Sequence, residues 1–110
     1  MVDPLSEFLY RLVPTRPTML TDGLTSAERE AVAAHVTYLE RLAAAGIVLL
    51  FGRTQTTDAS TFGIVILRAS SPDAARQVMA EDPTVRAGVM RAELFPFRVA
   101  GVSPSLAARG

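Results

Sequence analysis

The longest uninterrupted pattern in the chain runs from Ser26 to Ala45. No glycine or proline breaks it, alanine is abundant, and Val32, Val36, Leu39 and Leu42 recur at helical spacing on one face. Thr25 is the predicted N-cap, Glu28 three residues later completes a capping box, and Gly46 supplies the stop. Strand patterns surround this helix. Phe8 to Val13 is a short run of aromatic and branched residues that stops at Pro14. Ile47 to Phe51 is continuously apolar, too short for a helix, and ended by Gly52. Thr61 to Leu67 is the strongest strand pattern and is apolar on both faces. Pro14, Pro17 and the Asp22-Gly23 pair predict a loop before the helix, and Arg53 to Ser60 a second, polar loop. Ser71-Pro72-Asp73 opens a second helix that runs to about Ala80, and Asp82-Pro83 breaks it. Val85 to Gly88 reads as a turn or a scrap of helix. Val89 to Val99 is the last strand, with Pro96 marking an edge or a bulge.

This order predicts an α+β chain: a ferredoxin-like βαββαβ sandwich, with a four-stranded antiparallel sheet and two helices on one of its faces. A strand with water on one side should alternate, and Thr61–Leu67 does not. Something must therefore cover the second face. A second copy of the sheet would do so, giving a dimeric α+β barrel; the alternative is the C-terminal tail folded over it. The hydrophobic fraction of 49% is generous for a domain this small and favours the second copy.

Composition narrows the function classes. The 110 residues are read as one domain, with a core of about 8–99 and a small, polar tail over 100–110. Formal net charge is zero and the arginines are scattered, so no nucleic-acid footprint is expected. No apolar run approaches the ~20 residues of a membrane span, and residues 1–10 lack a basic start followed by an apolar core; a cytoplasmic location away from membranes is expected. Lysine and cysteine are both absent, which removes Schiff bases, thiolate nucleophiles, disulfides and cysteine metal sites. With one histidine there is no two-histidine metal triad either, and no glycine-rich phosphate loop is present; neither a metal nor a cofactor is expected.

The candidate chemistry rests on few residues. Histidine is the side-chain type whose ordinary pKa lies near neutrality, and His35 is the chain's single example. It lies beside the apolar stripe of the first helix, where it reads either as a structural core histidine or as a general acid–base. Asp82 reads either as a turn starter before Pro83 or, if the fold brings it to His35, as the carboxylate that fixes the ring's tautomer. Arg11 interrupts the first strand and Arg53 follows Gly52; each is either a salt-bridge partner or a guanidinium fork for a carboxylate or phenolate. For Arg91 a surface salt bridge with Glu93 is the favoured reading.

His35 with Tyr38, Leu39, Leu42, Ala45 and Gly46 resembles the His…Tyr-Leu…Leu…Gly helix of the YCII-related (YciI-like) family. Asp82-Pro83 with Val85, Ala87 and Gly88 resembles that family's Asp-Pro…Val-x-Ala-Gly stretch, and Leu94 to Arg98 is similar to its close. The resemblance spans about residues 8 to 99. It implies a ferredoxin-like domain paired into a dimeric barrel, and a His–Asp pair lining a pocket, carried here by His35 and Asp82. One departure stands out: the family often has Gly-Pro after the second strand, where this chain has Gly52-Arg53-Thr54. The expectation is a small cofactor-independent enzyme acting as a homodimer or a higher assembly of it. His35 and Asp82 would move a proton on a small oxygenated, cyclic or aromatic substrate in a lyase- or isomerase-like reaction, with Arg11, Arg53 and Gly52 at the binding site. The competing expectations are a ligand-binding or accessory module, and a purely structural His–Asp lock. The loop carrying Arg16, Pro17 and Met19 is a candidate lid.

Overall fold

The computed structural model describes residues 6–107, so residues 1–5 and 108–110, the ends of the predicted domain and tail, lie outside the described residues. Strand β1 (Ser6–Pro14) is followed by the short helix α1 (Met19–Asp22) and the long helix α2 (Ser26–Ala44). Then come β2 (Val48–Arg53), β3 (Gly63–Ala69), α3 (Pro72–Glu81), the single turn α4 (Pro83–Arg86), β4 (Met90–Phe97) and α5 (Pro104–Ala107). The strands form one antiparallel sheet in the order β2-β3-β1-β4. That is the ferredoxin-like arrangement, with the helices packed on one face of the sheet.

Local chemistry explains the helix limits. Thr25 accepts from the Glu28 N–H while the Glu28 carboxylate accepts from the Thr25 N–H, so the capping box forms as the sequence implies. Gly46 ends α2 at φ +78°, a conformation that costs a side chain but not glycine. Ser71 caps α3 with Pro72 in its first turn, and Asp82 caps α4 with Pro83 in the same role.

Strand alternation sorts the sheet's faces. Phe8, Tyr10 and Leu12 of β1 point at the helices and join Val65, Leu67 and Leu39 in the core. The intervening Leu9 lies on the other face, opposite Ile66 on one side and Phe95 on the other. Phe95 and Phe97 of the edge strand are exposed there. The second apolar face expected from Thr61–Leu67 is therefore real: Ile64 and Ile66 lie on it with Leu9 and Phe95.

Three expectations need correction. The second strand does not end at Gly52 but runs to Arg53, because Arg53 pairs with Gly63, and β3 starts at Gly63 and continues to Ala69. The segment after Pro14 is not wholly loop, since residues 19–22 form a helical turn. Arg91 and Glu93 form no salt bridge among the described residues. They lie opposite Val13 and Arg11 respectively. Residues two apart on a strand are separated by ~6.5 Å, farther than cross-strand neighbours.

Candidate active site

His35 and Asp82 are 47 positions apart in sequence and meet in the fold. His35 sits midway along α2, on the side facing the sheet's end. Asp82 is the residue at which α3 stops and α4 begins, so its backbone is fixed from both directions. The His35 Nδ1 lies 2.8 Å from Asp82 Oδ1 and 2.9 Å from Oδ2. The carboxylate is fully buried, whereas the imidazole side chain keeps 17% of its surface exposed. A carboxylate only accepts, so the ring donates Nδ1–H to it and leaves Nε2 as the basic nitrogen.

Asp82 has further partners that the sequence did not announce. The Tyr10 hydroxyl donates to Oδ2 at 2.8 Å. The Thr84 N–H and hydroxyl both donate to Oδ1, at 3.0 and 2.7 Å. Burial is the strongest single influence on this carboxyl and pushes its pKa up. Hydrogen bonds from His35, Thr84 and Tyr10, with the attraction of the His35 charge, outweigh it and hold the group below the usual carboxylate value. Burial next to the same anion drives the Tyr10 phenol far upward, so it stays a donor. A clue to Tyr10 was available, because a tyrosine on the core face of β1 must find a polar partner. Nothing local pointed to Asp82 as that partner.

His35 borders a cavity of about 310 Å³ at the end of the sheet where β1, β2 and β3 approach α2. Its walls are mainly apolar and include Leu12, Met19, Val36, Phe51, Phe62 and Met90. Polar groups are few: His35, Thr61, Thr84 and Arg53, with no carboxylate among the lining residues. Gly52 and Arg53 both line it, so the departure after the second strand falls on the cavity wall. Arg53 makes no ion pair among the described residues. Arg11 is placed elsewhere. It lies on the open face of the sheet, and its guanidinium stacks 4.9 Å from the centre of the Phe62 ring. The structure thus groups His35, Asp82, Gly52 and Arg53, and separates Arg11 from them.

The segment between β1 and α2 is part of the wall. Arg16 grips the Glu28 carboxylate with both arms of its fork, at 2.9 and 2.6 Å, and also donates to the Gly23 carbonyl at 2.7 Å. The Arg16 hydrogen bond is the main reason Glu28 is held down to a pKa of about 2. Thr15 donates to the Gly88 carbonyl at 2.7 Å, and Met19 is buried against Ala31 and Val89. Leu20, on the same turn, lines the cavity. The segment is held by hydrogen bonds at both ends. Among the described residues no group of three potential ligands could hold a metal ion, and no helix is long and apolar enough to cross a membrane.

A family model for the YCII-related domain matches residues 8–98. The chain belongs to the YCII-related family. Among curated proteins, none matches the sequence. Solved structures agree with the fold. TftG, the 5-chloro-2-hydroxyhydroquinone dehydrochlorinase of Burkholderia phenoliruptrix AC1100, solved with 2,5-dihydroxybenzoquinone, superposes with a TM-score of 0.59 at 24% identity. That match covers 83% of this chain and 93% of TftG. The uncharacterised protein TM1266 of Thermotoga maritima gives 0.54 at 11% identity, over 87% of this chain and all of that one. SnoaB, a cofactor-independent oxygenase of Streptomyces nogalater, gives 0.50 at 15% identity, over 93% and 99%. At these identities the likeness is one of fold.

Proposed function

We propose that this YCII-related chain is a small enzyme that needs no cofactor and transfers a proton on a small oxygenated, aromatic substrate, in a lyase- or isomerase-like reaction. One observation carries the reading. A buried carboxylate holds His35 by Nδ1 beside a mainly apolar cavity, which leaves Nε2 as the basic nitrogen. In this scheme Nε2 takes a proton from the substrate, and Asp82 stabilises the imidazolium that forms. Arg53 holds the enolate, phenolate or carboxylate oxygen, and Gly52 leaves the backbone open beside it. Phe51 and Phe62 flank the ring. The imidazolium then returns its proton to a second carbon or to a departing group. Two fold relatives support the reading: TftG was solved with 2,5-dihydroxybenzoquinone, a hydroxylated ring compound, and SnoaB works without a cofactor. Arg11, on the far face, has no part in the chemistry proposed.

The working unit proposed is a homodimer whose open sheet faces stack. Leu9 and Ile64, half-buried, and Phe95, exposed, present an apolar surface there.

The test is a thermal-shift screen of hydroxylated benzoic acids, quinols and hydroxyquinones, followed by product analysis with each binder. A true ligand raises the melting temperature by mass action. Arg53→Ala should weaken binding of anionic compounds, and His35→Ala should abolish turnover while preserving the fold. Full turnover in His35→Ala overturns the proposal, and so does a screen in which no compound of this class binds. Binding without product would leave a ligand-binding module in its place.

A further inference from the structure

We infer that Tyr10 is a positioning residue for His35, setting the direction in which Nε2 is aimed. The inference rests on the site just proposed but concerns its internal geometry. The two oxygens of Asp82 are loaded from opposite sides. Oδ1 accepts from the Thr84 N–H and hydroxyl, and Oδ2 accepts from the Tyr10 hydroxyl. Between them the His35 N–H is shared almost evenly, at 2.8 and 2.9 Å. Without Tyr10, Oδ2 would have no donor but the imidazole, while Oδ1 would keep two others. Negative charge would gather on Oδ2, and the Nδ1–H would move toward it. The ring would turn about its Cβ–Cγ bond, carrying Nε2 away from its present position at the cavity.

Tyr10 can act in this way because its own position is fixed. It is fully buried in the middle of β1, paired with Val65 on one side and Leu94 on the other. The surrounding core residues Phe8, Leu12 and Leu39 make no hydrogen bonds through their side chains, so the phenol has one strong acceptor within reach. Its oxygen comes from the sheet, the imidazole from α2 and the threonine donors from α4. Asp82 is therefore clamped to three elements, and the clamp ties the histidine's aim to strand β1.

Tyr10→Phe removes one oxygen and keeps the ring that fills the core. The probe is the low-field Nδ1–H proton signal of His35, with the ring ¹⁵N shifts, in the ligand-free protein. In Tyr10→Phe the Nδ1–H should move downfield as its bond to Oδ2 tightens. If the proposed enzyme is assayed, kcat should fall about tenfold or more with a smaller change in KM, since aim matters most in the transition state. In the unmodified protein a slowly exchanging Tyr10 hydroxyl proton should show a nuclear Overhauser contact to the His35 Nδ1–H. Unchanged His35 signals in a folded Tyr10→Phe overturn the inference and reduce Tyr10 to packing. Should Tyr10→Phe not fold, absence of the hydroxyl signal from the unmodified protein does the same. These readouts need no substrate, so a failed ligand screen would sink the proposed function and leave the inference standing.

Discussion

Asp82→Ala is the most informative perturbation, because Asp82 does three jobs with one side chain. It caps α4, it satisfies Tyr10 and Thr84, and it fixes His35. Loss of an N-cap costs about 1 kcal/mol. Each buried donor left without a partner costs about 1–3 kcal/mol, and at least the Tyr10 and Thr84 hydroxyls are stranded in a fully buried place. Allowing for relaxation around the vacated carboxylate, the sum is on the order of 3–5 kcal/mol. An unfolding entropy of about 2.1 cal/mol/K per residue makes about 0.23 kcal/mol/K for 110 residues, so the melting temperature should fall by about 13–22 °C. Asp82→Asn should cost less, about 1–2 kcal/mol, since its carbonyl can keep the Thr84 donors. Its amide faces the ring, however, and favours an imidazole that accepts at Nδ1 and carries its proton on Nε2. Asp82→Asn should then be folded but inactive. The pH dependence has a definite sign. The folded carboxyl sits below its unfolded value of about 3.9. Its contribution is fully present above that value and is lost as pH falls through the folded pKa. The stability gap between parent and Asp82→Asn, measured by urea denaturation, should be widest near pH 7 and shrink below about pH 4. A gap that is absent at pH 7, or that widens in acid, would refute the account of Asp82 as a buried, donor-saturated anion.

Other consequences can be measured in the same way. Glu28→Gln should lower stability above pH ~4.5 and converge with the parent as acid approaches the folded pKa of about 2; a constant difference through that window would mean that Arg16 does not hold an anion there. Arg16→Ala should speed amide exchange across Met19–Asp22 by tenfold or more while leaving the α2 centre protected, and equal protection in both proteins would show that the clasp is idle. Leu9→Glu puts a charge at the centre of the open sheet face and should turn a sedimenting dimer into a folded monomer; a variant that still sediments as a dimer would exclude that face as the interface. Gly63→Ala brings a Cβ to 3.2 Å from the Gly52 carbonyl in a paired ladder with little room to move, and should cost about 1 kcal/mol; an unchanged melting temperature would show that the β2–β3 ladder gives way.

How much of this was legible in the chain follows from the range of the interactions involved. Elements governed by neighbours in sequence could be read directly. The Thr25–Glu28 box, the Gly46 stop and the Ser71-Pro72 start are settled within four residues, and the α2 boundary is right to one residue. Strand ends were less legible, because they depend on what lies opposite. Arg53 belongs to β2 only through Gly63, and the supposed Arg91–Glu93 bridge ignored the partner strand. The site is still less local. His35 and Asp82 could be singled out by residue type and by family resemblance. Gly52 and Arg53 could be suspected from their departure from that family, and they do line the cavity. Arg11 carried the same weight in the sequence, but strand alternation turns it to the opposite face from Tyr10.

That alternation also hides the role of Tyr10 in the sequence. Within β1 its neighbours Phe8 and Leu12 make it look like one more core aromatic. Its meaning lies 72 residues away, in a carboxylate placed by the junction of two helices. A buried aspartate that also serves as a helix cap has lone pairs to spare, and each must find a donor or remain a burial penalty. Counting them is a usable rule. With Asp82 buried against His35, its remaining acceptor sites require donors from the core. Among the buried side chains of β1, Phe8, Tyr10 and Leu12, Tyr10 is the one with a hydroxyl. The histidine and its aspartate could be found by chemistry, but the residue that aims them follows from accounting for every acceptor on the buried anion.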